Sequence, residues 1–431
     1  MNKELRISYE VLKKVYLDGA YVSIELNRAL DNAKGINSAL VTKIIYGVLE
    51  KDITLEYFVS LYVNKPPKTE FMILLKMVAY ISKTISSIPT FALVNEIVDM
   101  AKAIDRHQSG FVNAVSKKLI ANKISLPSKE KNYTKYLSIK YSYPEWVIRE
   151  LLKKHDSNFV EALISENLPT DTHIRIVTNK ISASDFKAKL DTLGIRHSES
   201  LFDDTMYVDY GAFIKTNLKD YAVVQGLPSI ITSKALGVKS GLVLDTCSAP
   251  GGKAMYIAGS SKAEVYACDI YPHRVELIKK YALSLGINNV KCFVCDATKE
   301  NGEWLEKFDF VMCDVPCSNL GVSRKKPDVF LNKSLNDVKT LAGLQYQILS
   351  NSAKYVKHGG ILQYSTCTIL DNENKGVIDK FLKNNPEFEL TPIDTYGLNI
   401  VNDNNLYTFY PNLTHTEGFF IGRLRRKWIY F

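Results

Sequence analysis

Over the first 125 positions apolar residues recur three and four apart: Val11, Leu12, Val15 and Tyr16 form one set, and Leu40, Ile44, Ile45 and Val48 another. That is the α-helical period, and turn signals between the sets are few, so residues 1–125 are expected to be a small all-α bundle. The pattern breaks in LPSKEKNYTKYLSIKYSYPEW (126–146), where Pro, Ser and charge mark a linker. Lys131, Lys135 and Lys140 interleave there with Tyr133, Tyr136, Tyr141 and Tyr143. Such a composition suits phosphate contact and base stacking, or a solvated linker whose tyrosines lie on neighbouring domains.

From 147 to 232 short helical patterns (VIRELLKKH, SASDFKAKLDTLG) alternate with short strand patterns (HIRIV, MYVDY), which predicts a small α+β subdomain. After 233 the rhythm changes again. Four apolar runs, LVLD, EVYACD, VKCFVCD and FDFVMCD, each end in aspartate, at Asp245, Asp269, Asp296 and Asp314, with helical stretches such as RVELIKKYALSLG (274–286) between them. This is the βαβ alternation of a doubly wound parallel sheet, so residues 233–431 are expected to form an α/β Rossmann-like domain. No internal repeat or low-complexity tract interrupts the chain.

The densest apolar stretch, FMILLKMVAYI (71–81), is short for a membrane span and carries Lys76. The start, MNKELRISYE, lacks the apolar core of a secretory signal, and a cytoplasmic setting is expected. All seven cysteines fall between 247 and 367, an odd number that suits reduced thiols better than a disulfide framework. With 55 Lys+Arg against 46 Asp+Glu the formal net charge is +9, which permits a polyanionic partner without requiring one.

In an open parallel sheet ligands bind beyond the carboxyl ends of the strands, the edge on which all four aspartates fall. The first is followed by TCSAPGGKA (246–254), a Gly-rich turn entering a helix, where missing side chains let a ligand approach the backbone. The turn lacks G-x-G-x-x-G spacing, and so much negative charge would repel a pyrophosphate. A sulfonium would be welcome. S-Adenosylmethionine is therefore the expected cofactor, with Asp269 accepting from ribose hydroxyls and Asp296 from the adenine amine. Cys247, Ser248, Ala249, Pro250, Gly251, Gly252 and Lys253 of the turn, together with Arg274 and Asp314, complete the expected cofactor set.

Three segments, DTCSAPGGKA, DVPCSNLGVSRKKPD and GGILQYSTCTILDNEN, closely resemble the RsmB/Sun family of RNA cytosine-5 methyltransferases. SYPEW (142–146) and TEGFF (416–420) match its flanking signatures, and the first 125 residues look like its NusB-type helical domain. The resemblance implies a NusB-like bundle, an RRM-like small subdomain and a Rossmann-like methyltransferase domain. It also implies 5-methylcytidine formation, most simply in 16S small-subunit rRNA, with the same chemistry on tRNA or another RNA, or an inactive RNA-binding assembly protein, as the alternatives. Carbon 5 of cytosine is a poor nucleophile until another nucleophile adds at carbon 6, and a thiolate suits that task. The family pattern gives this role to Cys367 in YSTCT, the release step to Cys317 in the loop after Pro316, and a contact near ring nitrogen 3 to Asp314. Cys317 is expected in an exposed position, with thiolate character, approaching the ring from another side than Cys367.

Arg324, Lys325 and Lys326, directly after the Cys317 loop, are expected to neutralise RNA phosphates, and the partner set is RNA without membrane, for a monomer. Cys292, Cys295, Cys313 and Cys317 mimic zinc spacing. No metal is expected, because KCFVCD reads as a strand that points residues three apart to opposite faces. Cys268 and Cys313 are expected to be packing residues. Four departures from the family pattern stand out: Asn319 and Leu320 replace Gly and Thr after the P-C-S motif, Val177 replaces Asn, Gly226 replaces an acid, and Glu417 replaces Asp.

Overall fold

The computed structural model describes residues 3–167, 171–331 and 333–428. The amphipathic periods at the start fold as read: Lys3–Asp18 and Ser38–Glu50 are helices whose Leu12, Val15, Ile44, Ile45 and Val48 are fully buried. They pack with Thr69–Thr84, Thr90–Ile104 and Ser109–Ala121 around Leu74, Val78, Ile97 and Val112. Lys76 interrupts the most apolar of these helices, yet it is buried. Its ammonium reaches Asp52 at 2.6 Å and Glu56 at 2.7 Å, and the Tyr16 hydroxyl donates to the same Asp52 carboxylate. A charge can leave water here because two carboxylates replace its hydration.

The stretch expected as a linker is partly helical. Asn132 caps the helix Tyr133–Tyr141 by accepting from the Lys135 N–H, and Glu145–Leu152 and Ser157–Ser165 follow. These helices belong to the bundle: the first compact unit is Met1–Ser165 plus Ser323–Leu335, so the helical region runs about forty residues past the boundary expected at 125. Some of the lysines and tyrosines here pair with one another, while Lys131 and Lys135 are exposed. Lys129 lies over Tyr133 and Tyr136, Lys140 lies over Tyr136 and Tyr141, and Glu161 pairs with Lys140 at 2.9 Å.

The second unit, Glu166–Val322 plus Asn336–Phe431, holds two sheets. The smaller contains β1 (Thr172–Ile176), β2 (His197–Glu199), β3 (Thr205–Val208) and β4 (Ala222–Val224), in the antiparallel order β2-β3-β1-β4. The larger begins with β5 (Ser240–Asp245), β6 (Lys262–Asp269), β7 (Val290–Val294), β8 (Phe308–Asp314) and β9 (Val356–Thr366), all parallel, in the order β9-β8-β5-β6-β7. This is the Rossmann-like sheet the alternation predicts. It continues into an antiparallel extension that the pattern does not reveal: β10 (Phe388–Leu390), β11 (Val401–Asp403), β12 (Leu406–Phe409) and β13 (Phe419–Arg426), with β13 pairing β9 along its length.

Helices cover both faces. One side packs Val243, Val265 and Met312 against Met255 and Ile278, and the other packs Leu244, Val311 and Leu362 against Leu349 and Phe381. Cys292 sits on the first side and Cys295 on the second, as expected of a strand rather than a zinc knuckle. No metal-ligand cluster exists among the described residues.

Candidate active site

Asp245 ends β5 and Asp314 ends the neighbouring β8, so the sheet brings the two carboxylates to one edge. The chain then turns through Cys247–Gly251 into the helix Gly252–Ser260. Gly251 makes the turn at φ +107, a conformation that excludes most side chains. Asp245, Cys247, Ser248, Ala249, Pro250, Gly252, Lys253 and Asp314 line one cavity of about 250 Å³, closed on its far side by Gln225, Gly226 and Ser229 from the small-sheet region. Gln225 bridges the two parts: its side chain accepts from Arg175 Nε at 2.9 Å and donates to the Gly252 carbonyl at 3.3 Å. Sequence reasoning assigned no role to Gln225 or Arg175.

The cavity is charged but not balanced. Lys253 Nζ contacts Asp314 Oδ2 at 2.6 Å; burial works against its charge, but the Asp314 carboxylate prevails and raises its pKa. Ser365, on β9, donates to the other Asp314 oxygen at 2.8 Å. Asp245 has no such partner. Burial and then repulsion from Asp314 push its carboxyl up to about 7, softened by the nearby Ser248 hydroxyl, which does not close a hydrogen bond with it. Asp245 Oδ1 and Ser248 Oγ are both buried without a hydrogen-bond partner. A cavity with orphaned polar atoms is shaped for a polar ligand, and these acceptors fit the cationic amino-acid end of S-adenosylmethionine.

Asp269, Arg274 and Asp296 lie further along the edge, outside that cavity. Asp269, almost fully buried, accepts from the Tyr271 N–H at 3.1 Å and pairs with Arg274 at 3.3 Å. Asp296, two residues past β7, accepts from the N–H and hydroxyl of Thr298, which lower its pKa. The edge thus presents acceptors in succession, at Asp245, Asp269 and Asp296, as ribose and adenine recognition requires.

The two thiols meet. Cys367 follows β9 directly, and its Sγ lies 3.2 Å from Cys317 Sγ. One expectation changes here: Cys317 is buried, whereas Cys367 is half-buried. The reason lies in the loop's anchors. Glu373, fully buried, accepts from the Ser318 N–H (2.8 Å), the Ser318 hydroxyl (2.5 Å) and the Gln345 amide (3.0 Å). Gly321 donates to the Cys367 carbonyl at 3.0 Å and accepts from the Gly418 N–H at 2.8 Å. A Cβ on Gly321 would stand 2.1 Å from the Gly418 oxygen, so the loop lies against the TEGFF backbone with no room for a side chain. A hydrogen bond to the Cys367 sulfur, and then burial, hold the Cys317 pKa well above its usual value. The Cys367 contact and burial thus work against the thiolate character expected of Cys317 from sequence. Cys268 and Cys313 are buried packing residues, as expected.

Of the residues expected at RNA, Arg324 turns inward within the helical unit. Its guanidinium donates to the Ile164 carbonyl and lies 5.3 Å from the Tyr143 ring centre. That packing is not foreshadowed by its basic neighbours, and Lys325 and Lys326 beside it are exposed.

Comparison with known proteins agrees with this geometry. Residues 237–425 match the family model described as 16S rRNA methyltransferase RsmB/F, and residues 3–121 match the NusB family. The probable ribosomal RNA small subunit methyltransferase B of Bacillus subtilis is 31% identical, over 98% of each chain. The ribosomal RNA small subunit methyltransferase B of Pasteurella multocida is 26% identical, over 97% of this chain and 95% of its own. A solved structure of a methyltransferase homologue from Pyrococcus horikoshii is 25% identical and covers 68% of this chain and 99% of its own, with a TM-score of 0.58. The chain belongs to the RsmB/F methyltransferase family.

Proposed function

We propose that this member of the RsmB/F family is an S-adenosylmethionine-dependent methyltransferase that forms 5-methylcytidine in small-subunit ribosomal RNA, with Cys367 as nucleophile and Cys317 as release residue. The observation that carries the reading is the 3.2 Å contact between the two sulfurs, beside an acid held at the end of the adjacent strand. The fit of S-adenosylmethionine rests on the orphaned Asp245 and Ser248 oxygens and on the acceptors Asp269 and Asp296. The cofactor supplies an electrophilic methyl group to carbon 5.

The chain's own residues handle the rest. Cys367 sheds its proton and bonds to carbon 6; the proton it gives up balances the one ring nitrogen 3 takes up beside Asp314. Lys253 and Ser365 each hold one Asp314 oxygen and orient the carboxylate for that contact. Release requires the carbon 5 proton to leave as the sulfur–carbon bond breaks. A resting Cys317 thiol can do this as a relay: it takes the carbon 5 proton while passing its own across the sulfur contact to the departing Cys367 thiolate. Nitrogen 3 then returns its proton to solvent. No resting thiolate is needed at Cys317, which agrees with its raised pKa.

The target base has to leave its stack to reach the two sulfurs, so a cytosine in a loop or at a helix junction is the favoured substrate. Lys325 and Lys326 are the candidate phosphate contacts. A cytoplasmic setting belongs to this reading; no described helix is long and apolar enough to cross a membrane, and the seven cysteines are unpaired. The test is adduct trapping. Cys317→Ala incubated with cofactor and small-subunit RNA should give a denaturation-resistant protein–RNA adduct, and Cys367→Ala should give neither adduct nor product. Turnover by Cys367→Ala would sink the assignment. Bisulfite sequencing of RNA from cells with and without the gene identifies the modified position.

A further inference from the structure

At position 319 the backbone adopts φ +61, the left-handed conformation that glycine takes freely and asparagine tolerates best among residues with side chains. A glycine would satisfy the turn, so the carboxamide is not there for the backbone. It has a defined placement instead. Asn319 Nδ2 donates to the Cys317 carbonyl at 3.2 Å, which fixes the amide plane and turns its oxygen toward Cys367. The Cys367 thiol then donates to Asn319 Oδ1 at 2.9 Å. With that proton committed, the sulfur contact has one direction left: Cys317 donates to Cys367 Sγ. Three groups form a chain, Cys317 S–H to Cys367 Sγ and Cys367 S–H to Asn319 Oδ1, anchored at both ends on one loop.

We propose that Asn319 is a latch on the nucleophile: its amide oxygen holds the Cys367 proton on sulfur while the site is empty, and it must be displaced before the thiol can attack. The proposal rests on Cys367 being the nucleophile. Asn319 is a positioning residue, since it acts through Cys367 rather than on the base. Its oxygen favours the thiol because an acceptor facing sulfur interacts well with S–H and poorly with a bare thiolate. The other ionisable groups that face this sulfur are Cys317, which offers a proton, and Lys253, whose charge opposes the latch by attracting a thiolate. An entering pyrimidine that competes for the amide would release the latch, so that reactivity appears only with substrate in place. A half-buried thiol in a cytoplasmic setting gains protection from adventitious electrophiles in this way.

The experiment measures alkylation of Cys367 by iodoacetamide in the full-length protein without RNA, over a range of pH, by peptide mass spectrometry. In this reaction the sulfur–carbon bond forms, iodide leaves and the thiol proton goes to buffer. Asn319→Gly keeps the turn and removes the acceptor, and Asn319→Asp keeps the shape and offers a stronger acceptor. The expected order of rates is Gly fastest, Asn intermediate and Asp slowest, with Gly above Asn by about three- to tenfold, the range commanded by one neutral hydrogen bond. A loosened loop would raise the Gly rate at every pH and leave the pH midpoint of alkylation unmoved, whereas loss of the acceptor lowers that midpoint, so the pH profiles of Asn and Gly separate the two. Equal rates for Asn and Gly, or acceleration by Asp, would overturn the latch. Trapping of the adduct by Cys317→Ala decides the nucleophile separately, so the latch can fail with that assignment intact, and the assignment can fail while the alkylation order holds.

Discussion

Lys76 in the helical unit and Asp245 in the methyltransferase unit are both ionisable groups taken out of water, yet their surroundings differ in kind. Lys76 meets two carboxylates within 2.7 Å, and a tyrosine completes the cluster. Asp245 has no ion pair of its own: the Lys253 charge, spent on Asp314, and the Cys247 backbone offset its burial only in part, and one of its oxygens is orphaned. The first arrangement is finished without any ligand. The second becomes satisfied only when something polar and cationic arrives, and it marks the working end of the molecule by what it lacks.

Removing Lys76 should break the finished cluster at the largest cost. Lys76→Met leaves the half-buried Asp52 without its counter-charge and should lower stability by about 2–3 kcal/mol, read as a shift in the denaturant midpoint. Glu373→Gln tests an intermediate case, a buried carboxylate satisfied by neutral donors only. An amide in its place faces its NH2 toward at least one existing donor, so a loss of about 2 kcal/mol is expected. The same variant should loosen the Cys317 loop, slowing adduct release more than adduct formation in single-turnover assays.

Asp245→Asn should move stability the other way, by at least about 1 kcal/mol at pH 8, because an amide carries no ionisation cost. The sign follows from the carboxyl's two environments: it ionises near 3.8 when unfolded and near 7 in the folded state. The folded protein holds the extra proton between those values, so the wild type should lose stability relative to the variant as pH rises from about 4 to 7 and hold a constant deficit above. Thermal unfolding across that range checks it, and a flat difference would refute the raised carboxyl. Calorimetry should meanwhile show S-adenosylmethionine binding weakened about tenfold, since a charged acceptor is lost.

Much of this architecture can be read in residue patterns alone. The 3.6-residue period gives the bundle, and the four strand-ending aspartates give the parallel sheet and its ligand edge, because both depend on neighbours close in sequence. The antiparallel extension β10–β13 is not legible, since β10, β11 and β12 are short and β13, which carries the extension, is placed by pairing with β9 far away in sequence. The burial of Cys317 is set by Glu373, more than fifty residues downstream, and no local signal at the P-C motif foretells it. Arg324 reads as a phosphate ligand from its basic neighbours, and its packing on Tyr143 and Ile164, brought near only by folding, is not foreshadowed there. Asn319 did leave a trace: an asparagine where the resembled motif has glycine is the substitution that a left-handed turn permits.

The allegiance of residues 323–335 has a practical corollary for anyone dissecting the gene. The chain passes from the helical unit to the methyltransferase unit at 165, returns for thirteen residues just after the thiol loop, and leaves again. No single cut yields two whole halves. A fragment ending at 165 forfeits the Asp328 carboxylate that receives the Val22 N–H, the Ser323 hydroxyl beside Tyr143 and the Arg324 packing on Ile164, while a fragment starting at 166 carries a strap with nothing to fasten to. Any truncated version has to be redesigned by grafting the strap or replacing it with a neutral bridge.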